Sequence, residues 1–383
     1  MKIISAKTTL LYRRNRTIES NAVRVVYGRG AIITEIFTDE GVTGHSIITG
    51  MSAANQSEED YLKYTLDRVV LPMIIGEDPF KREYIWKKLF RDTTRIGRMG
   101  APVRAISAVD LALWDLAGKA YGMPVYKMIG QYRDEVACYA SGGYYANIGE
   151  NDIEMLAREF LEYKEMNFKA VKMKVGRLPV KEDVKRVARV KELIGDDIML
   201  LVDANEAWTF NDALAFAKGV EPIGIGWLEE PLAPDDTIAL KELCSRTTVP
   251  ICCGETEYHK WSVNRIIDAG CKYINADLTR VGGITEIIKI AGICQLRNIP
   301  LSPHSIPELH VTIGACFPNT PFVEFWKAGR ESQMLYDELM AESKKKMDVR
   351  PGVLKPVDEP GLGLTFDPDV IKKYKVDRVL DVI

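Results

Sequence analysis

IMLLVD at 198–203, GIGWLE at 224–229 and VPICCGE at 249–255 are three apolar runs that each close on one acidic residue. The acids are Asp203, Glu229 and Glu255, and 26 residues separate each from the next. An apolar run of this length with a charged end reads as a buried strand of a parallel sheet with a polar tip. Helical patterns lie between the runs: FNDALAFAKGVE at 210–221 and TIALKELCSRT at 237–247. Strand, helix, strand at a steady period is the repeated βαβ unit. In a (β/α)8 barrel all strand C-termini open on one mouth. Carboxylates on three neighbouring strand ends would meet there and offer an oxygen-rich site to a hard divalent cation.

The rhythm continues on both sides. FKAVKMKVG at 168–176 places Lys172 and Lys174 two apart, on one face of a strand. KYINAD ends at Asp277, IPLSPH ends at His304, and PFVEFW carries Glu324. From Lys174 the steps are 29, 26, 26, 22, 27 and 20 residues, each about one strand, one helix and two loops. Taken singly these residues are weak signals. One Asp after a strand is most often a helix cap, and alternate lysines are common on exposed strands. Lysines inside a buried strand, however, have no solvated face and need partners. The whole set in register points to one site.

The remaining chain bounds the reading. Its 383 residues suffice for a barrel of about 250 residues plus a second domain. A net charge of −3 gives no footprint for nucleic acid. No apolar stretch approaches a membrane span, and MKIISAKTTLLYRR lacks the uninterrupted apolar region of a signal peptide. Seven cysteines without CxxC fit reduced thiols in cytoplasm. SAKTTLLYRR, AVRVVYGRG and AIITEIFT predict strands in residues 1 to about 46, with a turn at Asp39–Gly41. Helical stripes follow from about 57 to 130, the last of them AISAVDLALWDLAGKAYG with Gly122 as its stop. VACYASGGYY at 136–145 is the expected first barrel strand. The expectation is an α+β domain over 1–130, a barrel over 131–345, and a Pro- and Gly-rich segment over 346–383 that crosses back to the first domain.

KMK at 172–174, VDAN at 202–205, WLEEP at 227–231, GE at 254–255, NAD…VGG at 275–283 and SPH at 302–304 together resemble the enolase superfamily. The Asp277 and His304 pair resembles its mandelate racemase subgroup. The lysine-only subgroup, which includes muconate cycloisomerase, would carry a lysine near 277, where this chain has ADLTRVGG. The resemblance spans nearly the whole chain. It implies a TIM barrel modified to (β/α)7β with an α+β capping domain, and Mg²⁺ held by Asp203, Glu229 and Glu255. It also implies removal of the proton α to a carboxylate to give an enediolate, and a homo-oligomer, dimer or octamer.

Such a proton is very weakly acidic, and a divalent ion on the carboxylate oxygens offsets the developing charge. The superfamily's Lys or His base with Mg²⁺ is a general pattern of enediolate chemistry. Lys174 is the expected base, its pKa lowered by Lys172 and the metal. Lys172 is expected to stay charged and meet the substrate carboxylate. His304 is the second acid or base, with Asp277 accepting its other N–H. Glu324, if protonated, would donate a hydrogen bond to the enediolate; otherwise it pairs with Lys327 or Arg330. Asn205 and Glu230 are expected to orient the metal ligands. His45, Arg24, Tyr144 and His259 are candidate substrate contacts, and the loops near 13–30 and 42–56 are expected to close over the mouth. His310 reads as packing. Two bases allow either dehydration of a sugar acid (aldonate or aldarate) to a 2-keto-3-deoxy acid, or racemisation or epimerisation. VDANEAW and WLEEPLAPDD resemble acid-sugar dehydratases most, so the small-molecule carboxylate expected is a sugar acid.

Overall fold

A computed structural model gives the fold and describes residues 1–50, 57–145, 152–350 and 352–376. Three long strands come first: β1 (Ile3–Ser20), β2 (Val25–Thr38) and β3 (Thr43–Gly50). They form an antiparallel sheet in the order β1-β2-β3. The Asp39–Gly41 turn joins β2 to β3, with Gly41 at φ 78°, a conformation glycine adopts at no steric cost. The tip between β1 and β2 is closed by Asn21, whose Oδ1 accepts from the Val23 and Arg24 amides.

Helices α1 (Ser57–Thr65), α2 (Arg82–Thr93) and α3 (Ala101–Tyr121) follow. The apolar stripe of α3 is wider than one face, and nearly all of the helix is buried. One side carries β3: Ser46 donates to the Ala108 carbonyl, and the His45 amide donates to Asp115 Oδ2 at 2.7 Å. The other side docks on the loop at 281–285. There Ser107 Oγ accepts from the Gly282 amide, Asp110 Oδ2 accepts from the Thr285 amide, and Trp114 donates to Thr285 Oγ1. From α2, Trp86 donates to the Gly282 carbonyl at 2.9 Å. A helix apolar all round is buried all round, and α3 is the layer between sheet and barrel. It ends at Gly122, φ 64°, as a left-handed C-cap.

The barrel strands are β4 (Val136–Gly142), β5 (Ala170–Lys174), β6 (Met199–Asp203), β7 (Trp227–Glu229), β8 (Ile251–Cys253), β9 (Tyr273–Ile274) and β10 (Val323–Phe325). They pair in parallel in the order β10-β4-β5-β6-β7-β8-β9, and Leu301 continues the path beyond β9. The curled sheet with helices outside is a TIM-type barrel capped by the α+β unit. Val171, Met173, Leu200, Val202 and Leu228 face the outer helices within the main core. Tyr139, Ala170, Leu201, Trp227 and Cys252 face inward and pack as a separate cluster, which is the barrel floor.

After the barrel, β11 (Val353–Leu354) pairs antiparallel with the start of β4. The chain then runs to the cap. The Leu362 amide donates to Asp115 Oδ1, and the Val376 amide donates to the Leu10 carbonyl on β1.

The tightest point between β3 and α3 is Gly44. A Cβ there would fall inside contact distance of the Ala112 carbonyl oxygen and 2.7 Å from Leu116 Cβ. Overpacking of this kind costs about 1–3 kcal/mol. Gly44→Ala should therefore lower the thermal midpoint by about 1–4 °C. Ile238→Ala, at a largely exposed side chain, should leave it unchanged. Thermal unfolding followed by circular dichroism checks both.

Candidate active site

Alternation along the strands builds the site. In β5, Lys172 and Lys174 share the inward face with Ala170, one and two steps above the floor. In β6 and β7, Asp203 and Glu229 stand directly above Leu201 and Trp227. Strict alternation would turn Glu255 outward, since Cys252 already points in. Gly254, at φ 138°, breaks the alternation where a residue with a Cβ would be strained. The Glu255 amide is then received by Asn275 Oδ1 at 3.0 Å. Asp203, Glu229 and Glu255 are all buried, and each offers an oxygen within 4.8 Å of the others.

Cations and donors surround the three acids. Lys172 Nζ lies 2.7 Å from Glu229, 3.0 Å from Glu324 and 3.7 Å from Asp203. Lys174 is ion-paired to Asp203. Trp227 in the floor donates to Glu229 Oε2 at 3.0 Å. Asn205, at φ 45°, donates its amide to Asp203 Oδ1 and its side chain to Oδ2. Glu230 accepts from Thr256 Oγ1 beside Glu255. Burying an ion costs several kcal/mol unless it is matched. Two lysines match only part of this cluster. Burial first, then the Asp203 charge, pushes Glu229 well above the usual carboxylate range. Glu255 Oε2 and Asn205 Oδ1 are buried without a hydrogen bond. An all-oxygen, anion-rich set with unsatisfied acceptors fits a hard divalent cation.

On the far flank, His304 Nδ1 is 3.1 Å from Asp277 Oδ2 and its Nε2 is 3.3 Å from Glu255 Oε2. Burial lowers the pKa of His304, but Glu255 and then the Asp277 hydrogen bond outweigh it and raise it. Asp277 is held well below the carboxylate range: burial opposes this, and the His304 hydrogen bond with the nearness of His310 outweighs it. His310 braces this loop, its Nε2 accepting from the Leu278 amide and its Nδ1 facing the Ser305 carbonyl. Lys174 and His304 therefore stand at opposite ends of the carboxylate row, one against Asp203 and one against Glu255.

Two groups have surroundings that bear on their protonation. For Lys174, from the protein groups alone, burial and Lys172 lower the pKa, but Asp203 more than offsets them and raises it. The reason is proximity, because Asp203 is in contact with the ammonium. Glu324 is not a neutral donor. Burial raises it, but Lys172 and His304 hold it below its ordinary value as an ion. It accepts from the Ser305 amide at 2.8 Å. Its cation is Lys172, whereas Lys327 pairs with Glu162 and Arg330 with Glu159.

The candidate substrate contacts divide. Tyr144 borders the site, its ring centroid 5.3 Å from Lys174 Nζ. Arg24 lies at the β1–β2 tip, which reaches the mouth: Ser20 receives the Tyr145 amide, and Ala22 packs against Gly176. Its exposed side chain faces Glu206. His45 is elsewhere; its Nδ1 is 2.8 Å from Lys119 Nζ, at the Asp115 junction of β3 and α3. Its strand position turns it away from the barrel. His259 opens the helix His259–Ala269 and stacks edge-on with Phe90 of α2 and with Trp261. It is a packing contact between cap and barrel. Arg13, which lies in the 13–30 region, is buried in a pair with Glu331. Of the loop 42–56, residues 51–56 lie outside the described residues. Arg280 was missed. It is partly buried near Asp277, with Nε 3.9 Å from Oδ2 and no hydrogen bond on Nε. Its place three residues after Asp277 was the available signal.

The sequence model of the mandelate racemase / muconate lactonizing enzyme N-terminal domain matches residues 8–130, and the enolase C-terminal domain-like model matches residues 155–370. The chain belongs to the mandelate racemase / muconate lactonizing enzyme family of the enolase superfamily. A similar protein is the arabinonate dehydratase of Saccharolobus solfataricus, 33% identical over 354 residues and 90% of each chain. The L-talarate/galactarate dehydratase of Salmonella typhimurium is 29% identical over 88% of this chain and 80% of its own. Among solved structures, a racemase from Streptomyces coelicolor with bound magnesium superposes with a TM-score of 0.88 at 27% identity, over 98% of this chain and 100% of its own.

For this family member, ion binding should be readable without catalysis. A ligand that binds only the folded state at about 100 times its dissociation constant stabilises by about 2.7 kcal/mol. Saturating Mg²⁺ should therefore raise the thermal midpoint of the wild type. Glu255→Gln should abolish that rise, and calorimetric titration should show at least about tenfold weaker binding.

Proposed function

We propose that the protein removes the C2 proton of a sugar acid and expels the C3 hydroxyl, giving a 2-keto-3-deoxy acid. The observation that carries this reading is the pair of acid/base groups at opposite ends of the carboxylate row: Lys174 against Asp203, and His304 against Glu255. Asp203, Glu229 and Glu255 would hold Mg²⁺. When bound, the ion supplies positive charge against the substrate carboxylate and competes with the Lys174 ammonium for the Asp203 oxygen. Magnesium bound in similar solved structures supports this choice of cation.

The rest belongs to the chain's own side chains. Lys172, charged and fixed between Glu229 and Glu324, stands ready for the substrate carboxylate. One of Lys174 and His304 takes the C2 proton, leaving the electron pair delocalised into the carboxylate as an enediolate. The C3–O bond then breaks, and the leaving hydroxyl takes a proton from His304 to depart as water. Asp277 fixes the imidazole so that Nε2 faces the reacting carbons. The enol product tautomerises to the keto acid. Dehydratases of arabinonate, galactarate and mannonate among the relatives support the reading. Reprotonation at C2 instead of hydroxyl loss would make the same pair a racemase or epimerase. The unpaired thiols fit the cytoplasm, and we place the protein there as a homo-oligomer.

Proton NMR in D₂O with Mg²⁺ over a panel of sugar acids tests the proposal. A new 3-deoxy methylene signal is the expected outcome. Deuterium at C2 without that signal would replace dehydration by racemisation or epimerisation. Lys174→Ala and His304→Asn should each lower kcat by about 10²–10⁴-fold, with KM changed far less.

A further inference from the structure

Tyr144 has a second side. Its ring is shared by Lys174 Nζ at 5.3 Å and by Arg330 Cζ at 4.7 Å. Arg330 lines a cavity of about 490 Å³, bounded by Thr17–Glu19 of β1, by Tyr144 and Tyr145, by the helix Asp152–Glu165 and by the loop 327–330. That volume is in the range of small-ligand sites. The cavity and Lys174 therefore both border the Tyr144 ring, and the end of β1 in the cap forms one wall of the cavity.

Its charges are unequal. Glu19, Glu159 and Glu162 line it with only Lys327 and Arg330 as cations. Both cations are taken: Arg330 by Glu159, and Lys327 by Glu162. Glu159 also accepts from Tyr163 and from the Gly143 amide. Nearby, Arg29 gives its Nε to the Ser332 carbonyl, and Arg24 faces Glu206. Glu19 is the exception. Its Oε2 is buried and has no hydrogen-bond partner among the described residues. A buried acceptor without a donor is costly and calls for one. Substrate hydroxyls are donors, and a carboxylate is not.

We infer that this cavity receives the far, hydroxylated end of the substrate chain, with Glu19 accepting from its hydroxyls, so that the sugar acid is a monocarboxylate (an aldonate) rather than a dicarboxylate (an aldarate). The inference rests on the sugar-acid reading above and narrows it. A second carboxylate would meet three carboxylates, Glu19, Glu159 and Glu162, while the two cations among the described lining residues already hold Glu159 and Glu162, and like charges brought together select against a partner strongly.

The test compares kcat/KM for C5 and C6 aldonates and their matching aldarates with Mg²⁺, in wild type and Glu19→Gln. The wild type should favour each aldonate over its aldarate by at least about tenfold. Glu19→Gln should shrink that ratio several-fold, chiefly by lowering KM for the aldarate. Because the ratio is taken within one preparation, partial unfolding of the variant cancels. A wild type that prefers aldarates, or a ratio untouched by Glu19→Gln, overturns this inference and leaves sugar-acid dehydration standing. Neither turnover nor C2 exchange with any of these acids removes both.

Discussion

Three carboxylates buried side by side at the ends of adjacent strands are the constraint to which the rest of the molecule answers. In a dry interior such a row is stable only if positive charge or donors reach it from several directions. The barrel supplies them by layers. Trp227 donates from the floor, Lys172 bridges Glu229 and Glu324 at the same level, and Lys174 closes on Asp203 at the rim. Asn205 fixes the Asp203 carboxylate from the following loop. The two lysines are thus countercharges as well as chemical groups. The same adjacency raises Lys174, so a base can be drawn from this pair only where another cation shares the Asp203 oxygen.

The cap matters to this arrangement through α3. One side of the helix carries β3 and the other holds the loop that follows Asp277. The VGG segment could pass for a phosphate cradle in sequence. In the fold its glycines let Trp86 and Asp110 approach the backbone closely, and the amides that an anion would use are spent on Ser107 and Asp110. The β1–β2 tip meets the opposite rim, on the loops after β4 and β5. The sheet therefore presents its hairpin over the mouth, held by α3 against β3 and by the chain beyond the barrel against β1.

What was legible in the sequence is what has a period. Strand tips recur every 20 to 29 residues, and the inward parity of Lys172, Lys174, Asp203 and Glu229 follows from the alternation of a strand. Glu255 does not obey that parity and was legible only through spacing; Gly254 supplies the missing half-turn. The protonation of Lys174 and Glu324 was not legible, because it depends on which oxygen each ammonium reaches. Lys172 and Glu324 are 152 positions apart and meet only because β5 and β10 both flank β4. His45 and His259 were misplaced for a related reason. A lone histidine in a sequence carries no direction. Only the packing of β3 on α3, and of the helix after Glu255 on α2, turns each into a contact between layers.

The same distinction separates chemistry from selectivity in this fold. The groups proposed to move protons sit on strand ends, where backbone pairing holds them to within the tolerance that proton transfer needs. The groups proposed to read the rest of the substrate come from the cap, from the turn after β4 and from the loop after β10, which share no period and no strand. Tyr144 is where the two sets touch, with Lys174 on one contact and Arg330 on the other. Glu19 belongs wholly to the second set. Its charge bears on Arg330 and Tyr144 at the barrel rim.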